Sequence, residues 1–354
     1  MGPRPAFSVF DVSISMSKRL EFKQFAPSRH TEASLHMIAI FKTYADGTRQ
    51  IEQPEPGCWI DVVSPGPDER DWLQDEIGIM PEFVRSALDD EEQSHVDYDD
   101  DTNQTLVTID CPFVEDRREM EDPSVMQYDT HPLSFLFLPE QDMLVSVSLR
   151  ENKVVDSFAE GHERQVNSNQ RTRLFLQMVL RISQRYLVCL KSIYRQFNEI
   201  EQELHETMRN EELIKMLGFE KSLVYFSTSL KSIEATLTRI SSGRFIKLYE
   251  EDRDLLDDVF IEIRQATEMC TVYTNILNGT MDMFGHVINN NVSVSMRMLT
   301  IVTLILSIPT MVFSFYGMNV ADLPGAGSWL VAFLLSVVVC VLAILLLRRQ
   351  KMLK

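Results

Sequence analysis

The stretch that decides the fold runs from Leu299 to Tyr316 and reads LTIVTLILSIPTMVFSFY. A second stretch of the same character, WLVAFLLSVVVCVLAILLL, runs from Trp329 to Leu347. Neither contains a charged residue, and each is just long enough, as a helix, to cross a hydrocarbon core of about 30 Å. The sequence therefore predicts two membrane spans, 299–316 and 329–347, rather than a hairpin buried in a soluble core.

The charges around the two spans predict their orientation. Arg297 precedes the first span, and the connecting segment 317–328 contains no lysine or arginine. The basic residues that follow the second span are Arg348, Arg349, Lys351 and Lys354. Because basic residues accumulate on the cytoplasmic side, we expect a multi-pass protein of the cell membrane with both termini in the cytoplasm and 317–328 outside.

Composition excludes several classes of function. The 354 residues carry a net charge of −18, which would repel a nucleic acid. The five cysteines are widely spaced without a CxxC pair, which argues against a disulfide framework or a structural zinc site. No enzyme motif of the HExxH, GxSxG or Walker type is found, so we do not expect an enzyme. Acidic clusters such as Asp89–Glu92 indicate either a solvated surface or a cation-sensing site.

The segments before the spans differ in pattern. Residues 1–36 show little periodicity and are set apart as an N-terminal extension, which is expected to be disordered. Residues 37–165 alternate between β-branched runs and short helices opened by Pro67 and Pro81, which predicts a cytoplasmic α/β domain whose sheet is covered by helices. The expected strands are 37–44, 58–63, 105–114, 133–138 and 144–149, and the expected helices are 68–77 and 82–88.

Long helices are predicted for residues 166–298, continuing into the first span. Gly218 and the Ser241-Ser242-Gly243 turn are expected to divide this region into three helices. The last, roughly 245–316, would be about 105 Å long and must project beyond any compact domain. It is interpreted as a stalk that carries the chain into the membrane.

One face of this stalk carries mostly polar residues from Asp282 onwards. Its members follow one another at three- or four-residue spacing and therefore form a single stripe: Asp282, His286, Asn289, Ser293, Met296, Leu299, Thr303, Ser307, Thr310 and Ser314. The hydroxyls could simply bond to the helix's own carbonyls or ease close packing. Four in register inside one span favour a pore, which a symmetric bundle of several chains would enclose.

Residue types along this stripe suggest roles in such a pore. Met296 and Leu299 would form an apolar ring that can close the path by steric blockage or dewetting. Asp282 would present carboxylates on the cytoplasmic side. Asn319 would present amide oxygens at the outer end, which suit a hydrated magnesium ion. Gly317 permits the turn that ends the helix, and Pro309 is expected to weaken or kink the span.

At Tyr316-Gly317-Met318-Asn319, which closes the first of two C-terminal spans after a very long helix, the sequence resembles the CorA family of magnesium channels. The resemblance extends from Met37 to the C-terminus. It implies a funnel-shaped homopentamer through which Mg²⁺ enters passively, with Mg²⁺ also acting as the regulatory ligand. It further implies that Gly317, Met318 and Asn319 form the selectivity filter.

The resemblance also implies roles for other residues. Met296 and Leu299 correspond to the hydrophobic gate, Thr310 to a pore hydroxyl and Asp282 to an acid on the inner path. Asp258 corresponds to a regulatory metal site between subunits, with Asp89 and Asp90 as candidate partners, because Arg85-Ser86 stands where an acidic pair is usual. The residues of the basic tail, Arg348, Arg349, Lys351 and Lys354, resemble the positive collar around the stalk.

Three functions remain open from the sequence. The first is a magnesium channel, with cobalt and nickel as further ions, gated by cytosolic divalent cation. The second is a zinc transporter of the same superfamily. The third is a membrane-anchored helical scaffold, which the hydroxyl stripe ending at Asn319 argues against, since a lipid anchor needs no polar face.

Overall fold

The structure is a computed structural model, and it describes residues 37–114, 127–163, 166–207, 210–318 and 328–349. The predicted extension 1–36 lies outside these residues. So do three of the predicted functional residues, Asn319, Lys351 and Lys354.

The first part of the described chain is a mixed seven-stranded sheet. Its strands are β1 Met37–Tyr44, β2 Gly47–Ile51, β3 Cys58–Val63, β4 His95–Tyr98, β5 Thr105–Val114, β6 Tyr128–Leu138 and β7 Met143–Ser148, in the order β2-β1-β3-β7-β6-β5-β4. Only the central β3–β7 pair is parallel among these strands; the other neighbours run antiparallel. All five predicted strands are present, whereas β2 and β4 were missed.

Helices cover both faces of the sheet, as the sequence predicted. Alternate residues of β3 point to opposite sides, so that Trp59 joins the larger core and Ile60 the smaller one. The smaller core is closed by α1 Pro67–Asp75 and α2 Pro81–Ser86, and the larger by α3 Lys153–Ala159, α4 Arg171–Thr207, α5 Asn210–Ser241 and α6 Glu250–Tyr316. The last helix is α7 Trp329–Arg349.

The expected break at Gly218 is wrong. Gly218 lies inside α5, which is described from Asn210 to Ser241. A glycine costs about 1 kcal/mol in a helix, which tertiary packing can offset. Here the Ser222 hydroxyl donates to the Gly218 carbonyl at 3.0 Å and accepts from the Tyr128 amide at 2.9 Å, which ties this turn of α5 to β6.

The predicted stalk is one helix of 67 residues, about 100 Å long. It begins at Glu250 rather than at 245, because the preceding segment is held in another conformation. Gly243 has φ +70°, the Phe245 carbonyl accepts from Thr105, and the Lys247 carbonyl accepts from Thr172. The helix continues unbroken through Pro309 to Tyr316. The predicted α/β domain, long helical stalk and C-terminal apolar helix are thus confirmed.

A buried carboxyl group lies at the centre of the sheet. The Trp59 indole donates to the Ser146 hydroxyl at 2.9 Å, and that hydroxyl donates to Asp61 at 2.7 Å. Burial raises the pKa of Asp61 to about 7, and the Ser146 hydrogen bond opposes this rise only in part. Folding therefore favours the neutral form of Asp61 at mildly acidic pH.

We expect Asp61→Asn to remove a pH-dependent penalty on folding. In the wild type, the stability from neutral Asp61 is fully present below the ordinary pKa of 3.8 and is lost as pH rises through about 7. Three pH units at about 1.4 kcal/mol each set an upper bound of about 4 kcal/mol. Melting of the full chain in detergent should show Asp61→Asn gaining on the wild type between pH 5 and pH 8.

The quantity compared is the difference in melting temperature between the variant and the wild type, followed as a function of pH. Any pH-independent effect of the amide on stability then cancels. Asp156→Asn, a half-exposed neighbour that contributes to the raised Asp61 pKa, serves as the control and should show a smaller change. A gap that stayed constant from pH 5 to pH 8 would contradict the assignment.

Candidate ion pathway

The two apolar helices pack against each other along one face of α6. Ile301 is 5% exposed, and Ile305, Ile308 and Val312 follow on the same face, each partly buried. These positions are spaced by three or four residues, so they form one stripe directed at α7. Both helices are long and apolar enough to cross a membrane.

The matching face of α7 is made of small residues. Ala332 is 6% exposed, Ser336 is 4% exposed, and Cys340 lies one further turn along. Small side chains at four-residue spacing let two helices approach closely in lipid, where van der Waals packing replaces the hydrophobic effect. Sequence reasoning missed this contact, although the Ala-xxx-Ser-xxx-Cys spacing was visible.

Pro309 explains one further contact in this pair. A proline has no backbone N–H, so the carbonyl four residues earlier, that of Ile305, loses its helical donor. The Cys340 sulfur of α7 lies 3.9 Å from that carbonyl oxygen and can donate to it weakly. The expected weak point in the span is thus covered by the neighbouring helix.

The predicted hydroxyl stripe lies on the opposite side of α6. At 3.6 residues per turn, its four members sit about 200° around the helix from the face that contacts α7. They are Thr303, Ser307, Thr310 and Ser314, and all four are exposed. The second span therefore leaves the polar face of the first open to other chains.

Most of the stripe hydroxyls donate their proton to the helix itself. Thr303 donates to the Leu299 carbonyl at 2.8 Å, Ser307 to Leu304 at 2.9 Å and Thr310 to Leu306 at 3.1 Å. Ser293 donates in the same way to Asn289 at 2.9 Å. A hydroxyl that has given its proton to the backbone presents only acceptor lone pairs outwards. The bonding that could have argued against a pore thus leaves acceptor oxygens on the exposed face of α6.

The other stripe residues are exposed as well. Met296 is 65% and Leu299 69% exposed, which leaves a flexible thioether and a branched apolar side chain just below the hydroxyls. Further towards the base, Asn289 and Asp282 are also exposed. The structure therefore places every member of the predicted pore-lining set from Asp282 to Ser314 on the surface of this chain.

Helix α6 ends at Gly317. Its amide donates to the Phe313 carbonyl at 2.9 Å, and its φ of −82° is open to any residue. A Cβ at this position would lie 3.2 Å from the Phe313 oxygen, a tight contact that would need a shift of a few tenths of an ångström. Met318 follows and is exposed, whereas Asn319 lies outside the described residues.

The predicted regulatory residues are not brought together within one chain. Asp258 is exposed on α6, and Asp89 and Asp90 lie in an exposed turn after α2, where Asp89 accepts from the Glu91 amide at 3.0 Å. Among the residues described, no group of three histidine, cysteine, aspartate or glutamate side chains could hold a metal ion. Of the predicted collar, Arg348 and Arg349 are exposed at the end of α7.

Comparison with known proteins decides the family. The sequence model of the CorA-like Mg²⁺ transporter protein family matches residues 55–349, most of the chain. The chain belongs to this family. It is accordingly a divalent-cation transporter of the membrane, and the resemblance predicted from the glycine-methionine-asparagine motif is confirmed.

Individual relatives agree with the CorA assignment. A cobalt/magnesium transport protein CorA of Methanocaldococcus jannaschii is 26% identical over 287 residues, which cover 80% of this chain and 87% of that protein. The complete CorA magnesium transporter structure from that organism superposes with a TM-score of 0.76 at 22% identity, over 88% of this chain and 98% of that one. The full-length CmaX protein superposes with a TM-score of 0.66 at 15% identity, over 89% and 98%. At these identities the structures show the CorA fold alone.

The α6–α7 contact gives a stability prediction. We expect Ser336→Leu to destabilise the protein by about 1–3 kcal/mol, because the larger side chain cannot fit between the two helices. Thermal melting of the full chain in detergent measures the loss. Val337→Leu, at the next and exposed position, is the matched control and should melt like the wild type. Equal melting of both variants would show that the two helices do not pack at Ser336.

Proposed function

We propose that this chain forms a homopentameric channel that conducts Mg²⁺ passively into the cytoplasm and is gated by cytosolic divalent cation, with Co²⁺ and Ni²⁺ as further permeant ions. The observation that carries the proposal is the hydroxyl stripe of α6, which is exposed, points away from α7 and presents acceptor oxygens. The number of subunits is taken from the family.

A pore made by several copies would give the polar stripe a water-filled path to face instead of lipid. In lipid, a polar face has no water to solvate it, so it must meet other polar groups or line a water-filled path. Because α7 occupies the opposite face, each copy of α6 can turn its hydroxyls towards a common axis while α7 lies outside. Hydrated cations then pass along a path of oxygen atoms, as a hard ion such as Mg²⁺ prefers.

Helix polarity adds to the selection of cations. The C-terminal end of each α6 carries a partial negative charge of roughly half an electron, and these ends would meet at the outer mouth beside Gly317, Met318 and Asn319. We propose that these three residues form the filter, with Asn319 binding the ion through its water shell. The membrane potential then draws the ion inwards with about 2.3 kcal/mol per charge for each 100 mV.

Below the hydroxyls the path narrows to an apolar section. Met296 and Leu299 would form rings at the inner side of the membrane, and Asn289 and Asp282 would receive the ion beyond them. A dry apolar ring blocks a hydrated divalent ion, because the ion cannot give up its water at low cost. We propose that this section is the gate.

Control of the gate is assigned to Asp258 with Asp89 and Asp90 of a neighbouring subunit. Carboxylates brought together across an interface repel one another until a divalent cation neutralises them. Bound Mg²⁺ would therefore hold subunits in the closed arrangement, and loss of the ion would release them. The exposure of all three side chains in the single chain is what an inter-subunit site requires.

The direct test is ion flux into proteoliposomes that contain the purified chain and a set inside-negative potential. We expect Mg²⁺ uptake, with Co²⁺ and Ni²⁺ following, and about tenfold slower uptake for Thr310→Val, because the pore loses a ring of acceptor oxygens while side-chain shape is kept. Thr310→Ser, which retains the hydroxyl, is the control and should stay close to the wild type.

Each other outcome has a definite meaning. Uptake of Zn²⁺ without Mg²⁺ would assign the chain to zinc transport, and the absence of all flux would favour a membrane-anchored scaffold. Unchanged flux in Thr310→Val would remove this hydroxyl from the pathway.

The regulatory site gives a separate prediction. Asp258→Ala removes a sensor carboxylate, so Mg²⁺ should no longer protect the cytoplasmic domain from limited proteolysis. Asp254→Ala, one turn earlier on the same helix and also exposed, should keep the protection. If Mg²⁺ protected the Asp258 variant as well as the wild type, the sensor would lie elsewhere.

A further inference from the structure

A cavity of about 520 Å³ lies at the base of the stalk, where the α5–α6 connection meets the sheet. The sheet side contributes Tyr98, Asn103 and Glu140. The connection and the first turn of α6 contribute Arg244, Lys247 and Arg253. The volume is in the range of small-molecule sites in proteins.

The charge of this cavity is unusual for the chain. Three cationic side chains line it against a single carboxylate, although the protein as a whole carries a net charge of −18. Within the described part of the chain, none of the three takes part in an ion pair. Three cations around one carboxylate leave an excess of positive charge, so the arrangement favours an external anion.

The cations are carried by a segment that is fixed in place. The Phe245 carbonyl accepts from Thr105 at 2.7 Å, and the Lys247 carbonyl accepts from Thr172 at 3.0 Å. The Arg244 guanidinium lies 6.0 Å from the centre of the Phe245 ring, and the Lys247 ammonium 5.0 Å from that of Tyr249. The backbone is thus anchored on two elements, and the charged groups of Arg244 and Lys247 lie beside aromatic rings without an ion-pair partner among the residues described.

We propose that this cavity binds a small, soluble metabolite that carries a phosphate group. Arginine matches phosphate oxygens with paired N–H donors, and lysine adds a point charge. The cavity is larger than phosphate alone requires, so the rest of the ligand lies towards Tyr98 and Asn103. A lipid headgroup is excluded by distance, because Arg253 precedes Leu299 by 46 residues, or about 70 Å of helix.

The site joins two parts of the molecule that the proposed ion pathway does not connect. Arg253 belongs to the first turn of α6, whereas Glu140 and Tyr98 belong to the sheet. A bound phosphate would cross-link the base of the stalk to the α/β domain. This inference does not depend on the pore, since it concerns the cytoplasmic end of the helix.

The test is calorimetric titration of the full chain, purified in a sugar detergent without phospholipid, with EDTA present to exclude metal-mediated binding. The probes are adenosine monophosphate, inorganic phosphate and adenosine. We expect saturable binding of adenosine monophosphate, weaker binding of phosphate, and none of adenosine. Arg244→Gln and Lys247→Gln should each weaken binding about tenfold. The triple variant, which combines both substitutions with Arg253→Gln, should not bind at all.

The control is Lys191→Gln, an exposed lysine of α4 outside the cavity, which should bind like the wild type. The single variants preserve the test if the triple variant does not fold. Absence of saturable binding by both phosphate and adenosine monophosphate would overturn the proposal. Adenosine binding as tightly as its monophosphate, or unchanged affinity in the variants, would overturn it too. Because binding is read without transport, either proposal can fail while the other stands.

Discussion

The constraint on which the rest of the structure depends is that a polar helix face cannot be left in lipid. The first span carries hydroxyls at Thr303, Ser307 and Thr310, and these donate to their own helix yet keep acceptor oxygens on the outside. The second span does not cover them, since its small residues Ala332 and Ser336 pack on the opposite face. A single chain therefore leaves the polar face of its first span uncovered. The proposed pore needs several copies for this reason.

The packing of α7 on one face of α6 also explains why a helix of 67 residues can remain continuous. Pro309 removes a backbone bond in the middle of the membrane, where an unsatisfied carbonyl is costly. The Cys340 sulfur beside the Ile305 carbonyl, together with the close packing of α7, compensates at that point. The apolar face of α6, which α7 covers, thus compensates for the backbone bond that Pro309 removes.

Much of this architecture could be predicted from sequence because it depends on local periodicity. The spans and the stripe follow from hydrophobic runs and three- or four-residue spacing. The errors arose where tertiary contacts, rather than the local sequence, determine where a helix begins or continues. Gly218 stays helical because Ser222 ties that turn to Tyr128, and α6 starts only at Glu250 because Thr105 and Thr172 bind the carbonyls before it. Strand β2 is short and exposed, although Asp46-Gly47 before it is a recognisable hairpin turn. The carboxylates proposed to be regulatory are distributed over separate elements, so no pattern along one chain could specify their partners.

The continuity of α6 also constrains how its two ends can communicate. A helix is stiff along its axis, so a shift imposed near Glu250 is carried over about 100 Å with little loss, whereas a flexible linker would absorb it. The base is held by side-chain bonds to the carbonyls of Phe245 and Lys247 and by burial of Ile246, Leu256 and Val259 in the larger core. A ligand that binds one arrangement of the base better than another would bias the whole helix by that difference in affinity and by no more.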